Sequence, residues 1–160
     1  MSLAAQVLNA CIERNFTLTT AESCTGGMLM AALTDVVGSS AVMDRGFVAY
    51  SNAAKVQMLA VDAAIISKFG AVSKEVVCAM ADGALANSQA DIALSVTGVA
   101  GPSASKVKPE GMVYFAVAQK NNETISRLCQ FGPLGRLNVR RKAVETALQI
   151  VLTAISTTKP

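Results

Sequence analysis

Near its amino terminus the chain reads Thr20-Ala21-Glu22-Ser23-Cys24-Thr25-Gly26-Gly27. A short β-prone run, 16–19, precedes this stretch, and a run with helical character, 27–33, follows it. Hydroxyl groups and two glycines at a strand-to-helix junction suit an anion-binding site. Glycine lets the backbone approach a ligand, and the free N–H groups of a helix start point at it. A plain helix cap by Ser23 or Thr25, followed by a tight turn, explains the same pattern equally well.

Histidine is missing from all 160 residues of the chain. This excludes a Ser-His-Asp triad, a Cys-His dyad and every metal site that requires histidine. A nucleophilic serine in this protein therefore needs another base, and lysine is the usual substitute.

Length and composition predict a single domain over residues 1–160. The apolar runs are too short to span a bilayer and no secretory leader is recognisable, so we expect a cytoplasmic protein without a membrane partner. The four cysteines are widely spaced, which indicates buried thiols rather than a disulfide framework or a zinc site. A net charge of +3, without basic clusters among aromatic residues, favours a small anionic ligand over nucleic acid.

Hydrophobic periodicity predicts helices that alternate with five strands. The predicted strands are 16–21, 46–51, 91–97, 112–119 and 124–131, and helices are expected over 2–14, 25–35, 62–69, 73–88 and 136–155, with a further one capped by Asn52. The pair Asn121-Asn122 predicts a tight antiparallel hairpin between the last two strands. This order predicts an α/β fold, a three-layer α/β/α sandwich with a mixed, mainly parallel five-stranded sheet. Ligands of such sheets bind beyond the carboxyl ends of the strands, where the glycine-rich loops of this chain lie.

Tyr50 and Lys55 follow the second predicted strand and are candidates for proton transfer. A partly desolvated lysine has a lowered pKa and can take a proton from a serine hydroxyl, and a tyrosine can hold or relay that proton. Taken separately, Lys55 is equally well explained as a solvated helix residue and Tyr50 as an aromatic residue at the edge of the core. Gly38-Ser39-Ser40, by itself, is best explained as a turn with a capping serine.

Two further segments suit the binding of an anion. Thr97 ends the third predicted strand and is followed by a glycine-rich loop, 98–102. The Thr97 hydroxyl and the nearby N–H groups suit the binding of a phosphate or of a developing oxyanion. A turn that requires glycine explains the same pattern. Arg136 and Arg140 lie one turn apart at the predicted start of the last helix, where cations oppose the helix dipole. An anion between them would resolve this conflict, and so would an earlier helix start or two solvated arginines.

Considered together, several segments resemble one family in their order along the chain. They are 20–27 (TAESCTGG), 38–41 (GSSA), 44–55 (DRGFVAYSNAAK), 70–73 (GAVS) and 97–102 (TGVAGP). The set resembles the C-terminal domain of the competence/damage-inducible protein CinA and its stand-alone relatives, the nicotinamide-nucleotide amidases. The resemblance covers nearly the whole chain, and this sequence contains no counterpart of the N-terminal domain of CinA.

The resemblance implies hydrolysis of the carboxamide of nicotinamide mononucleotide to nicotinate mononucleotide and ammonia, in pyridine-nucleotide salvage. It implies a serine amidase without metal or cofactor, with Ser40 as nucleophile, Lys55 as base and Tyr50 as proton partner. The substrate-binding residues would be Ser23, Thr25, Gly26, Gly27, Thr97, Gly98, Arg136 and Arg140, with Arg136 on the nucleotide phosphate. The family also implies a homodimer. The residues themselves do not choose between Ser40 and Ser23 as the nucleophile.

Two loops depart from the family pattern, at 103–108 and at 132–135. Relatives usually carry a glycine-rich acidic stretch in the first loop and Pro-Gly-Asp before Arg136. These departures keep two alternatives open, namely a pyridine-nucleotide-binding module without catalysis and an amidase for another phosphoribosyl amide.

Overall fold

The computed structural model describes residues 1–102 and 107–157 of the chain. Six α-helices, five β-strands and one short 3₁₀ turn, Ser39–Ala41, occupy this part. The helices are α1 (Leu3–Arg14), α2 (Met28–Thr34), α3 (Asn52–Leu59), α4 (Ala63–Phe69), α5 (Lys74–Ala86) and α6 (Arg136–Thr157). The strands are β1 (Leu18–Glu22), β2 (Met43–Val48), β3 (Ile92–Gly98), β4 (Met112–Gln119) and β5 (Ile125–Gln130).

The strands form one sheet in the order β2-β1-β3-β4-β5. Strand β1 pairs in parallel with β2 and β3, whereas β4 is antiparallel to both β3 and β5. Four of the five described strands therefore point in one direction, which confirms the predicted mixed, mainly parallel sheet. The carboxyl ends of β1, β2 and β3 consequently meet at the same end of the sheet.

Helices cover both faces of the sheet, as the predicted three-layer sandwich requires. In β3, Ile92, Leu94 and Val96 belong to a core that they share with α1, α2 and α6. Ala93, which points to the opposite face, belongs to a second core with α3, α4 and α5. This alternation follows from the two-residue repeat of a strand, and it explains why β3 is buried on both of its faces.

Several element boundaries differ from the predicted ones, although every predicted helix and strand is present. Strand β2 begins at Met43, three residues before the predicted start. The cap of α3 is Ser51 rather than Asn52, because the Ser51 hydroxyl accepts the N–H of Ala54 at 3.0 Å. In the hairpin between β4 and β5, Asn121 adopts a left-handed backbone with φ of 64°, a conformation that asparagine tolerates well.

The described helices include none that combines the length and the apolar character needed to cross a bilayer.

Candidate active site

A cavity of about 300 Å³ lies at the carboxyl end of β1, β2 and β3. It forms where the loops after these strands diverge, the position at which open α/β sheets bind ligands. Six of the residues singled out in the sequence contribute to its wall, namely Ser23, Tyr50, Lys55, Thr97, Gly98 and Arg136. The fold therefore gathers one polar site from four distant parts of the chain.

Lys55 is the central polar group of this cavity. Helix α3 carries it, and its side chain is only 1% exposed. Its Nζ lies 3.1 Å from Ser23 Oγ, 3.1 Å from the carbonyl oxygen of Ala49 and 3.0 Å from that of Tyr50. As an ammonium, Lys55 donates one N–H group to each of these three oxygens. As a neutral amine it donates to the two carbonyls, and its lone pair then faces the Ser23 hydroxyl.

Burial lowers the pKa of Lys55 from the ordinary lysine value of 10.5. The physical cause is desolvation, which disfavours the ammonium form, and the charge on neighbouring Cys24 would act weakly in the opposite direction. Within the described residues no carboxylate forms an ion pair with Lys55, so only hydrogen bonds to neutral oxygens offset the cost of burying its charge. Lys55 therefore has the environment of a base.

Cys24 borders the cavity beside Ser23 but has the environment of an inert thiol. Burial raises the pKa of its thiol to about 12, which keeps the sulfur protonated. Because the thiolate is the reactive form of cysteine, this environment does not favour Cys24 as a nucleophile.

The turn after β1 differs from the anion site that its glycines suggested. The side chain of Glu22, fully buried, accepts the N–H groups of Gly27 and Leu29 at 3.0 Å and that of Met30 at 2.8 Å. Glu22 thus caps α2 from the end of the strand, in place of the predicted cap by Ser23 or Thr25. The start of this helix is closed to an external anion, because the carboxylate already occupies it.

Thr25, Gly26 and Gly27, expected to bind substrate, lie outside the cavity wall. The two glycines have φ of 59° and 95° and serve the backbone of the turn. Thr25 is fully buried, and its hydroxyl has no hydrogen-bond partner in the described structure. In this structure the three residues form the turn that follows Ser23 and do not line the cavity.

Arg140, also expected to bind substrate, is directed at the same turn. Its Nε donates to the carbonyl oxygen of Cys24 and one terminal nitrogen donates to that of Thr25, both at 3.0 Å. Arg140 is therefore bound to protein backbone and, unlike the expected substrate-binding residue, does not line the cavity.

Arg136, one turn earlier on α6, does reach the cavity. One terminal nitrogen donates to Gly101 O at 2.8 Å and the other donates to the Tyr50 hydroxyl at 3.1 Å. The unfavourable placement of a cation at this helix start is offset by Glu110, whose carboxylate accepts the N–H of Gly135 at 2.8 Å. Tyr50 is 60% exposed, so the pair lies at the mouth of the cavity, where an anionic group of a ligand would meet Arg136 first.

Thr97 and Gly98 line the cavity at the end of β3. The Thr97 hydroxyl donates its single proton to Ala71 O at 2.9 Å, so it cannot at the same time donate to a phosphate or an oxyanion. Its role is to attach the 70–73 loop to the sheet. At Gly98 a Cβ would lie 2.7 Å from Val113 Cγ2 and 2.9 Å from Met112 O, so only glycine fits between this wall and β4.

Within this chain the structure does not bring Ser40, expected as the nucleophile, to Lys55. Ser40 is exposed in the 3₁₀ turn before β2, whereas Lys55 bonds to the carbonyls that follow β2. A strand rises about 3.3 Å per residue, so the six residues of β2 separate the two positions by about 17 Å. The serine that Lys55 contacts is Ser23.

The cavity wall also includes 99–101, which belongs to the glycine-rich loop predicted to suit an anion. Ala71 and Val72, before α5, line it as well, although the sequence analysis noted their segment, 70–73, only as part of the family resemblance and assigned it no binding role. Of the altered loop at 103–108, residues 103–106 lie outside the described residues. In the described ranges no group of three or more histidine, cysteine or acidic side chains is placed to hold a metal ion.

Comparison with known proteins matches this chain to the CinA C-terminal domain family over residues 1–155. The chain is 49% identical over 151 residues to the nicotinamide-nucleotide amidohydrolase PncC of Escherichia coli K12, with 93% of this chain and 90% of that protein covered. It is 44% identical over 151 residues to the protein of the same name from Enterobacter agglomerans, with 94% and 92% covered.

Two solved structures share the fold over nearly their whole length. The competence/damage-inducible protein CihA from Agrobacterium tumefaciens superposes with a TM-score of 0.93 at 42% identity, over 97% of this chain and 94% of that one. The competence damage-inducible protein A from Klebsiella pneumoniae superposes with a TM-score of 0.94 at 38% identity, over 98% and 97%. The chain belongs to the CinA C-terminal domain family.

Proposed function

We propose that this protein hydrolyses the carboxamide of nicotinamide mononucleotide to nicotinate mononucleotide and ammonia, a step of pyridine-nucleotide salvage. One observation carries the chemical part of the proposal, the 3.1 Å contact between Lys55 Nζ and Ser23 Oγ inside a cavity. The name of the relatives that are 44–49% identical to the chain supports the choice of substrate.

In the first half of the reaction, the Ser23 hydroxyl attacks the carboxamide carbon while Lys55 Nζ takes the hydroxyl proton. The distance lies within the range for direct proton transfer, and the lowered pKa of Lys55 keeps the amine available as a base. As the tetrahedral intermediate collapses, Lys55 returns this proton to the amide nitrogen, which leaves as ammonia. The acyl group remains as an ester on Ser23.

In the second half, a water molecule attacks the ester and Lys55 takes one of its protons. The bond between the acyl carbon and Ser23 Oγ then breaks, and Lys55 returns the proton to the serine oxygen. The product is nicotinate mononucleotide, whose carboxylic acid ionises at neutral pH. The lysine thus performs both proton transfers that histidine performs in a triad.

Arg136 is the candidate for the phosphate of the nucleotide. Its guanidinium lies at the mouth of the cavity, where Tyr50 and Gly101 O orient it. A planar guanidinium can bind a phosphate through two parallel hydrogen bonds. The reactive amide then lies deeper, beside Ser23 and Lys55. Because the Tyr50 hydroxyl contacts Arg136, we assign Tyr50 to orienting the phosphate-binding group, a change from the proton role that the resemblance implies.

The proposal also includes a cytoplasmic location and a homodimeric assembly. All four cysteines are free thiols, which fits a reducing compartment. The dimer rests on the family resemblance, and light scattering on the purified protein measures it.

The test is to incubate the purified protein with nicotinamide mononucleotide and quantify ammonia and nicotinate mononucleotide. We expect the two products in equal amounts, without added metal. Nicotinamide riboside, which lacks the phosphate, is the matched control substrate and should react with a higher KM. Binding of the mononucleotide without ammonia release would refute the hydrolase and indicate a binding module instead. Ammonia from another phosphoribosyl amide alone would refute the substrate but keep the chemistry.

A further inference from the structure

The two arginines at the start of α6 have different neighbours, although both were expected at the substrate. Arg136 lines the cavity, whereas Arg140 contacts the carbonyl oxygens of Cys24 and Thr25 in the turn that follows Ser23. Side chains four residues apart share one face of a helix, so this face of α6 reaches both loops that border the site.

The turn and Arg140 fit each other closely. A Cβ at Gly26 would lie 3.2 Å from the guanidinium nitrogen that donates to Thr25 O. Gly26 also has φ of 59°, a conformation that few side chains adopt. Glycine at this position therefore lets the guanidinium approach the backbone.

Arg140 holds the side of Ser23 that the sheet does not hold. On its amino-terminal side, Ser23 is tied to β3, because its N–H donates to Val96 O at 3.0 Å. On its carboxyl-terminal side, the carbonyl oxygen of the next residue, Cys24, accepts from Arg140 at 3.0 Å. A guanidinium that contacts two successive carbonyls restrains the rotation of the peptide between them.

We infer that Arg140 is a positioning residue for the nucleophile, which holds the turn after Ser23 so that Ser23 Oγ stays within reach of Lys55 Nζ. This inference rests on the proposed function. The inference predicts different kinetic effects for the two arginines. Loss of Arg136 should change KM, because it acts on substrate binding, whereas loss of Arg140 should change kcat, because it acts on the chemical step.

The test compares Arg140→Met, Arg140→Lys and Arg136→Met, with Arg141→Met as the matched control. Arg141 is an exposed arginine on the same helix and lies outside the cavity. We expect Arg140→Met to lower kcat by about 10- to 100-fold with KM within about threefold, since displacements near 1 Å can cost 10²-fold in rate. Arg140→Lys should recover part of kcat, because an ammonium can still donate to a carbonyl. Arg136→Met should mainly raise KM, and Arg141→Met should behave like the wild type.

A raised KM with unchanged kcat in Arg140→Met would show a substrate contact and overturn the inference, as would kinetics equal to those of the wild type. If Arg140→Met does not fold, as judged by circular dichroism, the division between kcat and KM in Arg140→Lys decides instead.

Amide hydrogen exchange over residues 23–30 tests the inference without catalysis. In this segment the N–H groups of Ser23, Gly26, Gly27, Leu29 and Met30 are hydrogen-bonded. Faster exchange in Arg140→Met than in Arg141→Met supports the inference, and equal exchange overturns it. Absence of ammonia from the wild-type protein would refute the proposed function, and the exchange result would still decide whether Arg140 holds the turn.

Discussion

Replacing Lys55 with methionine tests the proposed base. The methionine side chain is similar in length and apolar, and its thioether cannot accept a proton from Ser23 at neutral pH. Lys55 Nζ is 3.1 Å from Ser23 Oγ, so the substitution removes a group in direct proton-transfer contact. Such a loss lowers kcat about 10²- to 10⁴-fold, which corresponds to about 3–5 kcal/mol in the activation free energy.

The fold should tolerate this change. The carbonyls of Ala49 and Tyr50 lose a donor, which costs about 1–3 kcal/mol for each group that stays buried. Removing a desolvated amine offsets part of this cost. The assay is ammonia release at saturating nicotinamide mononucleotide, together with the thermal midpoint of each variant. Lys74→Met, an exposed lysine at the start of α5, is the matched control and should match the wild type. Turnover of Lys55→Met within threefold of the wild type, in a folded protein, would refute the assignment of Lys55 as the base.

Two further results are expected. First, kcat/KM should rise with pH and level off above the pKa of Lys55, because the neutral amine is the active form and burial lowers that pKa below 10.5. A value of kcat/KM that stays constant or falls as the pH is raised towards 10.5 would contradict a lysine base. Second, Glu22→Ala should lower the free energy of unfolding by about 3 kcal/mol or more, since it leaves three N–H groups of α2 without their acceptor at about 1–3 kcal/mol each. Urea denaturation measures this loss of unfolding free energy, and Glu75→Ala on the surface of α5 serves as the control. A loss below about 1 kcal/mol in Glu22→Ala would contradict the capping role of Glu22.

The fold could be predicted from the sequence because its main signals are local. The predominantly apolar segments of β3 and β4 are patterns of neighbouring residues, and both segments form strands. Caps were less well predicted, since Ser51, whose Oγ accepts the N–H of Ala54 at 3.0 Å, caps α3 in place of Asn52. The start of β2 was also misplaced, because this exposed edge strand has no consistent apolar period at Met43.

The site could be predicted in composition but not in its pairings. The absence of histidine pointed to lysine as the base, and the position of Lys55 after β2 placed it at the correct end of the sheet. Ser23 follows β1 whereas Ser40 precedes β2, so in the parallel pairing, in which Glu22 lies beside Val48, Ser23 and not Ser40 lies at the carboxyl end of the sheet. The strand pattern predicts these two ends, but it does not predict the contact between the side chains of Ser23 and Lys55, which come from different elements.

The roles of the charged residues depended equally on tertiary contacts. Glu22 belongs to a strand by sequence, yet its side chain caps the following helix across the turn. Arg140 matches an anion-binding pattern, yet its donors are used by backbone carbonyls of a segment more than 100 residues away. A sequence pattern shows which charged side chains could bind a ligand. The fold determines which of these side chains are already hydrogen-bonded to the protein's own backbone.

The most direct test of the central claim compares ammonia release from nicotinamide mononucleotide by the wild-type protein, Ser23→Ala and Ser40→Ala. Both substitutions remove one hydroxyl, and circular dichroism confirms that each variant folds. If Ser23 is the nucleophile held by Lys55, Ser23→Ala loses turnover by at least about 10²-fold while Ser40→Ala keeps the wild-type rate. Loss of turnover in Ser40→Ala with activity retained in Ser23→Ala would contradict the account.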